Sequence, residues 1–228
     1  MPAGRESSLP DPVVSQRRPI EWLVWGALIS TLIAIAALFA WSRLKPSGPD
    51  HTVALPLNYP LPDFTLTNQF GQPVTLAQLR GHVWVADIIF TQCAGPCPVM
   101  TAKMSDVQSR LPRSSAVKLV TLTTDPDNDS PEVLKAFGER FNADFSRWSF
   151  LTGRKDQIAR LAVDGLKLIA IPKNPAERET PVDLFIHSEL FVVVDKNATV
   201  RAAFESYQPD VLDKVLKAVE QLSREPGS

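Results

Sequence analysis

The segment HVWVADIIF, residues 82–90, is a nearly continuous apolar run of strand length, the mark of a strand buried on both faces. TQCAGPCPVM, residues 91–100, follows at once and carries both cysteines of the chain, Cys93 and Cys97. Pro98 suits a first helical position, and Met100, Met104, Val107 and Leu111 recur at helical spacing, so a helix is predicted to start at Cys97. The cysteines therefore fall at a strand-to-helix junction.

Upstream, DFTLTNQFGQPVTL reads as two short strands around a turn at Phe70 to Gln72, with Gly71 as the permissive residue. Downstream the pattern predicts a strand at Val117 to Leu122, a helix capped by Ser130 with Pro131 behind it, a strand at Trp148 to Leu151 and a helix from Lys155 to Val163. A Pro-rich excursion from Ile171 to Pro181 precedes a strand at Leu190 to Val194, a turn at Asp195 to Asn197, a strand at Thr199 to Phe204 and a last helix from Pro209 to Leu222. A βαβ unit carrying the cysteines, followed by a βαββα-like remainder, is the plan of a thioredoxin-like α/β sandwich, a mixed central sheet flanked by helices.

Ahead of this domain, WLVWGALISTLIAIAALFAW, residues 22–41, contains no charge and has the length of a membrane-spanning helix. Trp22, Trp25 and Trp41 lie near its ends, where indole rings favour the headgroup region. A cleavable signal would place its small-residue site after the apolar run, whereas the pair Ala34 and Ala36 lies deep inside it, so an uncleaved anchor is expected. Arg5, Arg17 and Arg18 precede the run and Arg43 and Lys45 follow it, which favours a cytoplasmic N-terminus. The resulting division is a cytoplasmic tail at 1–21, an anchor at 22–41, a Pro-, Ser- and Gly-containing linker at 42–60, and one domain at 61–225.

A formal charge of -1 with both signs mixed along the chain argues against a nucleic-acid partner. Two cysteines cannot make a disulfide framework, and 228 residues do not need one. Their role is then chemical. Cys97, at a helix N-terminus, meets unpaired N–H groups that favour the thiolate. Thiolates are soft donors suited to Cu(I) or zinc. Structural zinc takes four ligands and no further cysteine exists, whereas low-coordinate Cu(I) needs only two or three.

The histidines are His51 in the linker, His82 at the end of its strand opposite the cysteines, and His187 just ahead of a predicted strand. Of these His187 is the best placed third donor, because junction loops at one sheet edge can converge; a lone histidine there also reads as a satisfied structural group. Met100 and Met104 share a helical face with Cys97, and thioethers can join soft-metal sites, although apolar residues at helical spacing ordinarily pack in a core. Asp125, Asp127 and Asp129 resemble the start of a calcium loop, but Ser130 stands where glycine is needed and Ala136 where the bidentate glutamate belongs. Helix entry and turn chemistry account for them.

FTQCAGPCP, TTDPDNDSPEVLKAF, WSFLTG and IHSELFVVVD, in this order and at these separations, resemble the Sco (SenC) family, membrane-anchored thioredoxin-like proteins of cytochrome oxidase assembly. The resemblance spans about residues 60 to 222. It implies copper ligation by Cys93, Cys97 and His187, and service to the dinuclear copper centre of a haem-copper oxidase from the periplasm or its equivalent. It also implies the alternative of a thiol-disulfide reductase acting through Cys93 and Cys97 on that centre's cysteines, and leaves Asp125 and Asp129 as candidate docking residues. The family loop usually reads close to C-P-x-x-C-P; here Ala94, Gly95 and Pro96 separate the cysteines, and VDLFI ahead of His187 is more apolar than is usual. A structural disulfide closing so short a loop would remove little chain entropy. Peroxide reduction would want an arginine beside the motif, and none is there.

Overall fold

The computed structural model describes residues 19–44, 57–168, 170–172, 176 and 185–227. The tail through residue 18, His51 with most of the linker, and most of the Pro-rich excursion lie outside the described residues. The chain divides into two compact units, Met1–Asp50 and His51–Ser228.

In the first unit, helix α1 (Pro19–Leu44) covers the expected anchor and extends it by three residues at each end. Its described side chains, residues 22–38, are all exposed. Among the described residues no helix is long and apolar enough to cross a membrane.

The second unit is built on β4 (Trp84–Ile89), every residue of which is buried. Its alternate side chains feed two separate cores, as two-sided burial of a strand requires. Trp84, Ala86 and Ile88 join one apolar cluster, and Val85 and Ile89 join the other. On one side β4 pairs in parallel with β5 (Lys118–Thr123), which pairs in parallel with β6 (Trp148–Thr152). On the other it pairs antiparallel with β9 (Leu190–Val194), followed by antiparallel β10 (Thr199–Glu205) and the two-residue edge strand β1 (Tyr59–Pro60). The hairpin of β2 (Thr65–Asn68) and β3 (Pro73–Thr75) closes the far edge, giving the order β1-β10-β9-β4-β5-β6-β2-β3. Gly71 takes φ +72 in the hairpin turn, and Asn68 Oδ1 accepts from the N–H groups of Phe70 and Gln72 at 2.9 and 3.0 Å. This is a thioredoxin-like α/β fold with a mixed sheet, as expected.

The parallel crossovers run through α3 (Pro96–Arg110) and α4 (Pro131–Arg140). Both pack with α6 (Val211–Arg224) against one face, where Met104, Phe137 and Val215 meet Trp148 and Phe191. The opposite face is covered by α2 (Leu76–Leu79) and by α5 (Lys155–Ala159), which continues as a π-helical turn over Arg160–Gly165. Ser130 accepts from Val133 N–H at 3.4 Å, so the expected cap of α4 is present.

Several local features depart from the sequence reading. The domain begins before residue 61, because Leu57 is already in the core and β1 pairs with β10. α3 starts at Pro96, one residue early, since proline fits the first helical position as well there as at Pro98. The predicted single helix at Lys155 to Val163 widens into a π turn after Ala159. A strand, β7 (Ala170–Pro172), runs into the start of the Pro-rich excursion and pairs antiparallel with β8 (Phe185–His187). α2 and β1 are too short to leave a periodic signal.

Candidate metal centre

β4 ends at Ile89, and the chain turns through residues 90–95 into α3, so both cysteines lie at the carboxyl end of a central strand. Cys93 N–H donates to the Phe90 carbonyl at 3.2 Å, folding the loop back on its own strand. The half-buried Cys93 sulfur accepts from Gly95 N–H at 3.4 Å. Cys97, in the first turn of α3, is fully buried beside Met100, Met104, Phe90 and Phe191. Thr101 Oγ1 donates to its carbonyl at 2.9 Å. The two cysteines are not joined by a disulfide.

Cys97 does not show the lowered pKa expected at a helix N-terminus. Its hydrogen bond with Cys93 and, next, its burial push the thiol well above the usual range, with the Phe90 N–H opposing and the charges of Cys93 and Asp87 adding to the rise. Pro96 and Pro98 also carry no N–H, which removes two of the donors that make a helix start attractive to anions. Cys93 is the more accessible of the two sulfurs. A buried neutral thiol must lose its proton before it can act as a thiolate donor.

His187 is the last residue of β8, its backbone paired with Ala170. Its side chain lies outside the described residues, as do those of the preceding VDLFI. The antiparallel register of β9 on β4, Val194 opposite Trp84 and Val192 opposite Ala86, carries the start of β9 to the end of β4 where the cysteine loop leaves. The chain just before β9, with the His187 backbone, is thereby directed to the cysteine end of the sheet. Among the described residues no group of three His, Cys, Asp or Glu side chains is assembled as a metal site. His82 sits at the other end of β4, with Nδ1 2.8 Å from the Ala116 carbonyl.

Met100 and Met104 are 1% and 0% exposed and belong to the core. Asp125, Asp127 and Asp129 do not converge as a calcium loop would. Asp127 pairs with Lys155, and Asp125 accepts from Asn128 Nδ2 at 2.8 Å. Asp129 is 1% exposed and accepts from Thr91 and Thr123. One residue near the site was missed by sequence reasoning. Asp87, the single charge in WVADIIF, is fully buried on the β4 face that carries Cys97, and its charge acts on that thiol. A lone carboxylate inside an otherwise apolar buried strand was the available signal.

Residues 58–223 match the family model described as SCO1/SenC. The chain belongs to the SCO1/SenC family. Among its SCO1/SenC relatives, the SCO1 protein homolog of Bacillus subtilis (strain 168) is 37% identical over 170 residues, 74% of this chain and 85% of that protein. BsSco, a member of the Sco family of cytochrome c oxidase assembly proteins in which a disulfide switch has been identified, superposes with a TM-score of 0.64 at 35% identity, over 75% of this chain and 97% of its own. ScoI of Bradyrhizobium japonicum, solved with copper bound, has the same fold at 19% identity, with a TM-score of 0.61 over 72% of this chain and 99% of its own.

Proposed function

We propose that this SCO1/SenC protein is a copper metallochaperone, which holds Cu(I) between Cys93 and Cys97 with His187 as third ligand and delivers it to the copper centre of a haem-copper (cytochrome c) oxidase during assembly. The observation that carries the reading is the pair of cysteines, not joined by a disulfide and hydrogen-bonded to each other at the exit of a central strand. Two soft sulfurs, one buried and one reachable, suit a low-coordinate monovalent cation and its stepwise transfer to a partner's thiolates. The copper bound in ScoI of B. japonicum and the assembly role of the family that includes BsSco support it.

The protein is further proposed to be anchored by α1 in the cytoplasmic membrane, N-terminus inside, with the domain in the periplasm or extracytoplasmic space. The uncharged apolar run at residues 22–41, with tryptophans near its ends, supports this reading. Retention in the membrane pellet after alkaline carbonate extraction tests it, and release into the supernatant refutes it.

The test of the copper reading is titration of the full, reduced chain in detergent with Cu(I) against a competing chelator. One equivalent is expected, lost in Cys93→Ser and Cys97→Ser and weakened in His187→Ala. Parent-like binding by His187→Ala removes the third ligand, and failure of the parent to bind removes the function.

The disulfide switch of BsSco favours a second reading, thiol-disulfide reductase. The Cys93 thiolate attacks a partner disulfide and displaces one partner thiolate; Cys97, losing its proton, then attacks the Cys93 sulfur. The partner leaves as a dithiol and a Cys93–Cys97 disulfide remains. This reading needs no histidine, so full reductase activity in His187→Ala separates the two.

A further inference from the structure

The cysteine loop is braced from outside the motif. β4 and β5 pair in parallel up to Ile89 opposite Thr123, and Thr124 N–H still reaches the Ile89 carbonyl at 2.8 Å. One step on, where the strands diverge, the Asp129 carboxylate takes over the pairing. Thr91 N–H lies 3.4 and 3.2 Å from its two oxygens, Thr91 Oγ1 donates to Oδ1 at 2.5 Å, and Thr123 Oγ1 donates to Oδ2. Thr123 Oγ1 in turn accepts from Asp125 N–H at 2.9 Å, which fixes the direction of its proton. Asp129 N–H is itself held by the Asp125 carbonyl at 2.9 Å, so the carboxylate is seated in a tight turn just ahead of the α4 cap.

Successive residues of an extended chain direct their N–H groups to opposite sides. Thr91 N–H faces Asp129, and Phe90 N–H, on the other side, donates to the Cys97 sulfur. The Phe90 carbonyl receives Cys93 N–H at 3.2 Å. The two-residue segment Phe90–Thr91 thus touches both cysteines on one side and a buried carboxylate on the other.

We propose that Asp129 is a positioning residue for the dithiol: by holding Thr91 to Thr123 it fixes the Phe90–Thr91 segment and thereby the separation and orientation of the Cys93 and Cys97 sulfurs. A site held in its binding geometry spends less of its affinity on ordering the loop when the ligand arrives. Only a carboxylate serves here, because it accepts at both oxygens, whereas asparagine would turn an NH2 group toward hydroxyl and amide donors. The copper part of this inference rests on the function proposed above; the dithiol part does not.

The experiment compares the full chain in detergent with Asp129→Asn, Thr91→Val, Thr91→Ser and Asp195→Asn. Asp195, 6% exposed, is a control carboxylate that braces the β9–β10 turn by accepting from Asn197 N–H, Thr199 N–H and Arg201. Cu(I) affinity and the Cys93–Cys97 thiol-disulfide potential are measured beside thermal stability. Asp129→Asn is expected to bind Cu(I) about tenfold more weakly and to shift the thiol-disulfide equilibrium by about tenfold, near 30 mV. Asp195→Asn is expected to lose stability while both other readouts stay within about twofold. Thr91→Ser retains parent behaviour, and Thr91→Val moves in the direction of Asp129→Asn. Parent-like copper affinity and potential in Asp129→Asn, or equal losses in Asp195→Asn, overturn the proposal. If Asp129→Asn does not fold, the contrast between Thr91→Val and Thr91→Ser decides. If the parent binds no Cu(I), the function proposed above fails, and the potentials alone decide on the brace.

Discussion

Met104 separates a core role from a ligand role sharply, because the two predict opposite outcomes for the same substitution. Its side chain is fully buried two turns along the same helical face from Cys97, in the apolar cluster that includes Trp148, Phe191 and Val215. Met104→Ala removes the thioether and leaves a cavity that a packed sandwich closes only partly, at a cost of about 3 kcal/mol. With a urea slope of about 2 kcal/mol/M, the unfolding midpoint falls by about 1.5 M. Trp84 and Trp148, both 0% exposed, report the transition by fluorescence. Met104→Leu conserves volume and costs less than about 1.5 kcal/mol. If Met104 only packs, Met104→Leu leaves Cu(I) affinity within about twofold of the parent, because leucine has no donor atom. A tenfold loss of copper affinity in Met104→Leu with near-parental stability would refute the core assignment and make the thioether a ligand.

Three further outcomes are expected. In the reduced, metal-free protein, iodoacetamide should label Cys93 at least about a hundredfold faster than Cys97, because Cys97 is fully buried with its thiol held protonated; equal labelling rates by peptide mass mapping contradict the burial. Gly138→Ala should cost about 1–3 kcal/mol in chemical denaturation, since a Cβ there would lie 2.8 Å from Phe145 Cε1 and Phe150 Cε2; an unchanged midpoint would mean that the rings shift freely. Asp129 should titrate above its ordinary 3.8, burial outweighing its hydrogen bonds to Thr123 and Thr91. A carboxyl with a raised folded pKa contributes stability that is complete below the unfolded value and lost as pH rises through the folded one. The stability of the parent relative to Asp129→Asn should therefore decline over that window, and a rising difference would show that the hydrogen bonds dominate.

Much of the domain was legible in the chain because its strands are buried on both faces or bounded by strong stop signals. β4 and β9 stand out as apolar runs, and the Ser130–Pro131 signal and Gly71 mark a helix start and a hairpin turn. The hairpin of β7 and β8 was not legible, because its strands are only three residues long and one ends in Pro172. The π turn after Ala159 preserves the apolar residues of an ordinary helix and so leaves the same pattern.

The sequence by itself determined the chemistry available: two cysteine thiols, three histidines, and a strand-to-helix junction that places the thiols at the end of a central strand. Only the tertiary structure decided how the two thiols differ. Both stand in one ten-residue motif, yet the hydrogen bond to Cys93 and then burial in the core raise Cys97, prolines thin the helix-start donors around it, and Asp87 and Asp129 arrive from β4 and from the β5–α4 turn. The hydrogen bond to Cys93 arises within the motif, whereas the burial comes from segments distant in the chain and is not a property of local spacing.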